Sequence, residues 1–264
     1  MTGRILTDRL EGHRCGRAVE PPPTPPVGAL PGMDAPALEW PRRRHTLPVA
    51  VERASRLVTK VIPASRADGW NHNTHYHPLL LAAVPRPCSR ALDVGCGLGS
   101  LARRLATVAG HVDAIDREPR VIDRARAFSG GLANLRFIAA DFMTWETSER
   151  YDLVSFVATL HHLPFAEAVT RAARWLRPSG VLAVVGLDRA PSWLAACARS
   201  AIAYPVSHYY RLTRPVSPIG APILDPAMTL AEIRRQAAAT LPGAIVRRHL
   251  LWRYSLVWTK PPSA

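Results

Sequence analysis

Carboxylates and imidazoles recur in this chain at the ends of short apolar runs. Asp93 stands in Ala91-Leu92-Asp93-Val94, just before Gly95-Cys96-Gly97-Leu98-Gly99-Ser100. Asp116 closes His111-Val112-Asp113-Ala114-Ile115, Asp141 follows Leu135-Arg136-Phe137-Ile138-Ala139-Ala140, and His161 and His162 follow the run from Tyr151 to Leu160. Three glycines at alternate positions let the backbone bend sharply and present bare N–H groups, so a bulky ligand can press against the main chain. A carboxylate beside that turn can hold an amine. One about twenty residues further on, where Asp116 falls, can take both hydroxyls of a ribose. Histidine titrates in the range useful for proton transfer. These residue types at these spacings describe a pocket for a nucleoside-bearing cofactor with a base at its mouth.

The glycine pattern narrows the cofactor. A dinucleotide fingerprint, Gly-x-Gly-x-x-Gly, would require a third glycine at position 100, where Ser100 stands. A phosphate-binding P-loop would require Gly-Lys-Ser/Thr, and no lysine is near. The pattern present, Asp-x-Gly-x-Gly-x-Gly, resembles motif I of the class I S-adenosylmethionine-dependent methyltransferases. Leu160-His161-His162-Leu163, followed by Arg174-x-Leu176-Arg177-Pro178-x-Gly180, is similar to the small-molecule and quinone or lipid methyltransferases of that superfamily. The resemblance spans roughly residues 70–260. It implies that Asp93, Gly95 and Gly97 hold the methionine moiety, with Cys96 and Gly99 in the same cofactor-binding turn. It implies further that Asp116 takes the ribose, that Asp141 and Phe142 take the adenine, and that Val157 touches the cofactor through its backbone, with Arg117 also among the cofactor-binding residues. A ribose-binding acid is shared with NAD-binding folds; the second acid, Asp141, tips the balance away from NAD.

These residues must be carried by alternating strands and helices, which implies a parallel, doubly wound α/β sheet. The periodicity predicts strands at Ala91–Val94, His111–Asp116, Leu135–Phe142, from Tyr151, and at Val181–Leu187. Helices are predicted after the glycine turn, over Pro119–Phe128, from Pro164 to about Trp175, and over Met228–Leu241. The run from Ala244 to Trp258 reads as an antiparallel hairpin with a tight turn near Leu250–Arg253. In the resembled family such a hairpin supplies a reversed strand, giving a seven-stranded, mostly parallel sheet. Residues 188–226, broken by prolines and rich in Trp193, Ile202, Tyr204, Tyr209 and Tyr210, read as an insertion on the substrate side of the domain at 87–260.

Upstream, residues 47–86 have a helical pattern, including Val51–Val58, and form a predicted N-terminal cap. His72, His75 and His77 do not share one helical face, so no metal site is expected there. The position of the cap before motif I makes His75, Tyr76 and His77 expected lid or substrate residues. Residues 1–46, with Pro21-Pro22-Pro23-Thr24-Pro25-Pro26 and Arg42-Arg43-Arg44, bury too little apolar surface to offset their ordering entropy and are expected to be disordered. Met33 is a candidate alternative start.

The chain has 264 residues, enough for one α/β domain with additions, and a formal charge of +14. Such a charge suits nucleic acid or an anionic surface. Nearly all of it is arginine, however, with Lys60 and Lys260 the only lysines, in an alanine- and proline-rich composition typical of GC-rich coding. Cys15, Cys88, Cys96 and Cys197 have neither metal-ligand nor redox spacing, and the N-terminus carries no secretory apolar run, so a cytoplasmic location is expected. His161 and His162 are the leading candidates for a catalytic base, with His75 or His77 as alternatives. The absence of Asn-Pro-Pro-Tyr after the fourth strand argues against amino-methylation of nucleobases. The reading is a methyltransferase acting on a small or lipophilic acceptor with S-adenosylmethionine as cofactor. An RNA or DNA methyltransferase and a non-catalytic cofactor-binding protein are its rivals.

Overall fold

The computed structural model describes residues 68–217 and 225–262. The expectations for residues 1–46, for Met33 and for the Val51–Val58 helix lie outside the described residues.

Seven strands form one sheet in the order β3-β2-β1-β4-β5-β7-β6. β1 (Arg90–Val94), β2 (His111–Asp116), β3 (Leu135–Ala139), β4 (Tyr151–Val157) and β5 (Leu176–Leu187) run parallel. β7 (Arg253–Thr259) is antiparallel to β5 and to β6 (Ile245–Arg248). The doubly wound sheet with a reversed strand is therefore present. Strand order reverses on either side of β1, so the carboxyl ends of β1 and β4 open a crevice in which ligands of such sheets sit.

The helices follow from sequence spacing. α1 (His77–Ala82), preceded by a 3-10 turn at Thr74–Tyr76, is what the described part of the cap contributes. α2 (Ser100–Leu105) follows the glycine turn, and α3 (Pro119–Phe128) begins with proline, whose missing N–H costs nothing in a first turn. α4 (Phe165–Trp175) buries Phe165, Ala168, Val169, Ala172 and Trp175, a single apolar face at helical spacing against the sheet. α6 (Leu230–Thr240) is started by a capping box between Thr229 and Glu232.

Three boundaries differ from the sequence expectation. β3 stops at Ala139, because Asp141 folds back to accept from the Met143 N–H (2.7 Å), leaving Asp141 and Phe142 in a turn beyond the strand. β5 begins at Leu176 rather than Val181, since Leu176 pairs with Tyr151 across a register irregularity. Within the segment 188–226 the chain is not broken at Pro205: α5 (Trp193–Thr213) runs for 21 residues straight through it. Pro205 and Ala201, one turn earlier, are both exposed, so water can take the carbonyl that proline leaves without a donor. The tight turn of the hairpin is as expected, with Leu251 and Trp252 both at positive φ (55° and 57°).

One buried charge ties the sheet's far end together. Asp113 on β2 receives Arg90 from β1 (3.0 Å), Arg136 from β3 (2.8 Å) and the Tyr151 hydroxyl from β4 (2.9 Å). Burial works against its ionisation, but the hydrogen bonds from Arg136 and Tyr151 outweigh it, and its carboxyl lies below the ordinary range. It fastens four strands to one another, away from the crevice.

Candidate cofactor and active site

A cavity of about 840 Å³ opens where the parallel strands end. Its floor is the glycine turn. Gly95 lies at φ 67°, and a Cβ there would run into the Thr159 side chain; Gly97 lies at φ 53°, with nothing within 4 Å of where a Cβ would stand. The first glycine is thus demanded by the neighbouring loop, whereas the second leaves open a space that a ligand can occupy. The Asp116 carboxylate fastens the turn, accepting from the Gly97 N–H (3.0 Å) and the Glu118 N–H (3.1 Å), and it keeps lone pairs free toward the cavity that it lines.

The buried polar atoms carry the strongest signal. Among the described residues, His77 Nδ1, Asp93 Oδ2, Ser100 Oγ, His161 Nδ1 and Arg253 Nε are buried side-chain atoms without a hydrogen-bond partner. All five residues line this one cavity. Buried polar atoms normally find partners, because leaving one bare costs about 1–3 kcal/mol. Gathered around one space, these five describe a surface made to be completed by a ligand.

Asp93 shows what that ligand must supply. Oδ1 accepts from Ser155 Oγ (2.8 Å), while Oδ2 has no donor. Burial pushes its carboxyl up to about 7; the Ser155 hydrogen bond works against that shift and the nearby Asp116 charge works with it. A ligand ammonium fits here, bringing both the missing donor and the missing countercharge. Asp116 fits ribose hydroxyls, and Asp141 lies on the same side of the cavity, beyond β3. The Cys96 thiol is pushed well above its ordinary range by burial and by Asp93 and Asp116, so it lines the turn as an inert thiol.

The other expected cofactor positions, Gly99 excepted, also line the cavity. Arg117 is exposed at its rim, Val157 borders it at the end of β4, and Phe142 borders it with its ring edge-on to Phe156 (5.2 Å) and Trp175 (5.3 Å). Gly99, at φ 77°, instead makes room for the Phe137 ring and leads into α2. His161 and His162 lie in the 3-10 turn after β4 with rings 3.9 Å apart, both on the cavity. Burial, with the charges of His162 and Arg253, pushes His161 down to about 4, and burial with Arg117 lowers His162.

The three expected lid residues separate. His77 lines the cavity, buried, and burial with the charge of Arg104 pushes it down to about 3. His75 and Tyr76 do not line it. His75 Nδ1 accepts from Trp70 Nε1 (3.3 Å) and its ring packs on Tyr76 and Tyr210, while the Tyr76 hydroxyl donates to the Leu250 carbonyl (2.7 Å). The place of the cap before motif I predicts all three at the site, and for His75 and Tyr76 the structure differs. The 3-10 turn rotates them instead toward α5 and the β6–β7 hairpin. The aromatic residues of α5 are likewise not at the cavity. Trp193, Ile202, Tyr204 and Tyr209 face solvent, and the two ends of the segment, at Asp188–Ala190 and Asp225–Pro226, border the cavity instead, together with Ser217.

Several residues escaped the sequence reading. Asn71, His72, Asn73 and Thr159 line the cavity, as do Trp252 and Arg253 from the start of β7. Arg253 in particular sits in a strand-like run, with nothing in its spacing to mark it.

Fold and cavity together define a domain that binds a nucleoside-bearing cofactor at the carboxyl ends of parallel strands. Residues 91–180 match the family described as "Methyltransferase domain". An uncharacterized methyltransferase of Mycobacterium tuberculosis is 36% identical over 203 residues, covering 73% of this chain and 98% of that protein. A ubiquinone biosynthesis O-methyltransferase of Xanthomonas campestris is 34% identical over 138 residues, covering 49% of this chain and 58% of the relative. Among solved structures, the N-methyltransferase NodS of Bradyrhizobium japonicum in complex with S-adenosyl-L-homocysteine shares the fold, with a TM-score of 0.50, 18% identity, and coverage of 80% and 97% of the two chains. The chain belongs to the class I S-adenosylmethionine-dependent methyltransferases. It is an enzyme of that class, and S-adenosylmethionine is its cofactor.

Proposed function

We propose that this enzyme methylates a small organic acceptor, with His161 taking the acceptor's proton. The observation that carries the reading is the gathering of five unpartnered buried polar atoms around one cavity. Bound S-adenosylmethionine supplies a methyl group already activated on a sulfonium sulfur. The protein's share is therefore alignment, exclusion of water and proton removal. Asp93 Oδ2 holds the amino group, Asp116 the ribose hydroxyls and Asp141 the adenine amino group. Gly97 gives the ligand room against the main chain, and Val157 and Phe142 border it. His161, neutral across the physiological range, accepts the proton at Nδ1, and His162 packs against it at a tilt and orients the ring.

A concave cavity of about 840 Å³ suits a small molecule, and the named activity of the Xanthomonas relative is of the same kind. The location we propose is cytoplasmic: Cys88, Cys96 and Cys197 are free thiols, and no helix among the described residues is long and apolar enough to cross a membrane.

Isothermal titration tests the cofactor assignments. Wild-type protein is expected to bind S-adenosylmethionine and S-adenosylhomocysteine, and Asp116→Ala to lose roughly 100-fold or more in affinity, since two charge-assisted hydrogen bonds go with it. Binding unchanged in that variant would remove Asp116 from the site. A pH–rate profile compared between wild type and His161→Gln tests the base.

A further inference from the structure

Among the described residues lining the cavity, Arg253 is a buried cation that pairs with no carboxylate. Arg253 is 5% exposed. Nη2 donates to Asn73 Oδ1 (2.7 Å), Nη1 donates to the Leu251 carbonyl (3.2 Å) and Nε has no partner. No Asp or Glu among the described residues forms an ion pair with it, although Asp188 next door on the same sheet edge is held by Arg199 (2.8 Å) and Arg248 (3.8 Å). A buried guanidinium left without an anion is expensive, because neutral acceptors replace only part of its hydration. Burial lowers its pKa to about 10, so it remains a cation at neutral pH.

The surroundings of Arg253 suit an anion. Asn73 and Asn71 both line the cavity, and each uses its side-chain oxygen internally: Asn73 Oδ1 takes Arg253, while Asn71 Oδ1 takes the Asn73 and Thr74 N–H groups (2.8 and 2.9 Å). Their amide nitrogens are left as donors. Trp252 adds an apolar wall, its indole N–H already given to Ser200.

Position separates this corner from the cofactor's acids. Arg253 pairs with Leu187 on β5; β5 pairs with β4, and β4 with β1. Three strand spacings, about 14 Å, thus lie between the strand of Arg253 and that of Asp93, while Asp116 and Asp141 lie on the opposite side of β1. The charge of Arg253 is nonetheless felt at His161, the proposed base.

We propose that Arg253, with the side-chain amides of Asn71 and Asn73, binds a carboxylate of the methyl acceptor, so that the enzyme's substrates are small organic acids. The inference rests on the methyltransferase reading of the same cavity and narrows its acceptor. A carboxylate hydrogen-bonded to the guanidinium would supply the missing charge. It would fix one end of the acceptor while the rest reaches back toward His161.

Benzoate and benzamide, equal in size and differing in charge, are suitable probes. Each is titrated by ligand-observed NMR into protein saturated with S-adenosylhomocysteine, whose own affinity is measured first. Wild type is expected to prefer benzoate by roughly tenfold or more, and Arg253→Gln to lose that preference while keeping its S-adenosylhomocysteine affinity within about twofold. Arg253→Lys is expected to retain part of the preference, and circular dichroism checks that both variants are folded. Equal binding of the two probes to wild type, or an undiminished preference in a folded Arg253→Gln, overturns the proposal. So does a loss of S-adenosylhomocysteine affinity in that variant, which would assign Arg253 to the cofactor's own carboxylate. Should the Gln variant not fold, the wild-type preference and Arg253→Lys decide. Failure of wild type to bind S-adenosylhomocysteine at all would instead strike the methyltransferase reading, and the benzoate comparison would still report on the anion site.

Discussion

The two sides of the cavity are built on opposite plans. On the β1–β2–β3 side the ligand-facing groups are carboxylates on strand ends and a glycine turn, all within one continuous stretch of chain from Asp93 to Phe142. On the side of β5, β7 and the cap they include Arg253, two asparagines and neutral histidines, drawn from stretches some 180 residues apart, as the Arg253–Asn73 hydrogen bond shows, and the Asp188 carboxylate there is already held by Arg199 and Arg248. The first side offers buried negative charge to an amine and hydroxyls; the second adds one buried guanidinium and amide donors, with Asp188 and Asp225 also on its wall. The difference teaches that the part of the site serving the cofactor is assembled locally, whereas the part that selects an acceptor is assembled by closure of the fold. Variation on the second side can change the substrate without disturbing the first.

Substitutions on the cofactor side should have the largest effects and should break binding outright. Gly97→Val places a branched side chain in the open space above the turn, at a positive φ; S-adenosylhomocysteine affinity measured calorimetrically should fall beyond detection while the far-ultraviolet circular dichroism stays native. Gly95→Val, by contrast, drives a side chain into Thr159 and should lower the melting temperature strongly, so the two glycines separate ligand space from structural space.

Next in size is the loss of the proton acceptor. His161→Gln should reduce kcat by about 100-fold or more with little change in S-adenosylmethionine affinity. In wild type the limb of the pH–rate profile assigned to this group should rise through about pH 4 rather than 6.5, because burial depresses His161. A limb that survives in His161→Gln and disappears in His162→Gln would transfer the role to His162.

Asp93 gives a smaller effect of opposite sign. Its folded pKa of about 7 stands above the ordinary 3.8, so the group favours the folded protein fully below about pH 4, and that contribution is lost as pH rises through 7. Asp93→Asn keeps an oxygen for Ser155 and removes the bare buried charge. Without ligand it should melt a few degrees higher than wild type at pH 8, roughly 2 kcal/mol of relief, and it should bind S-adenosylhomocysteine poorly. An unchanged melting temperature would mean that Asp93 is not ionised in the empty cavity.

The histidines of the cap give the reverse dependence. His72, His75 and His77 titrate at about 4, 4 and 3, held down first by burial, against 6.5 in an unfolded chain. Their contribution to stability is complete above pH 6.5 and is lost as pH falls toward 4. Hydrogen exchange should show residues 70–82 opening before the central strands on acidification; simultaneous opening would mean that cap and sheet form one unit. Least of all, Tyr76→Phe should cost about 1 kcal/mol or less, seen by denaturant melts, and leave cofactor affinity unchanged, because its hydroxyl serves only the partly exposed Leu250 carbonyl.

The amino-acid sequence by itself determined the cofactor side. Alternating glycines behind an apolar run, and acids at the ends of the next two runs, are local patterns, and the strand–turn–helix unit that displays them is local too. β2, α3 and the hairpin turn follow their periodicity almost to the residue. Only the tertiary structure decided the other side. Whether His75, Tyr76 or His77 reaches the cavity depends on a 3-10 turn whose direction is set by α5 and the hairpin, and composition carries no sign of it. α5 passes through Pro205 because the carbonyl proline abandons happens to face solvent. Arg253 became a ligand group through pairing of β7 with β5, which buries one arginine of a basic strand-like run beside Asn73. A charge within such a run has the same sequence signature whether it ends in water or in a cavity, and long-range strand pairing is what makes the choice.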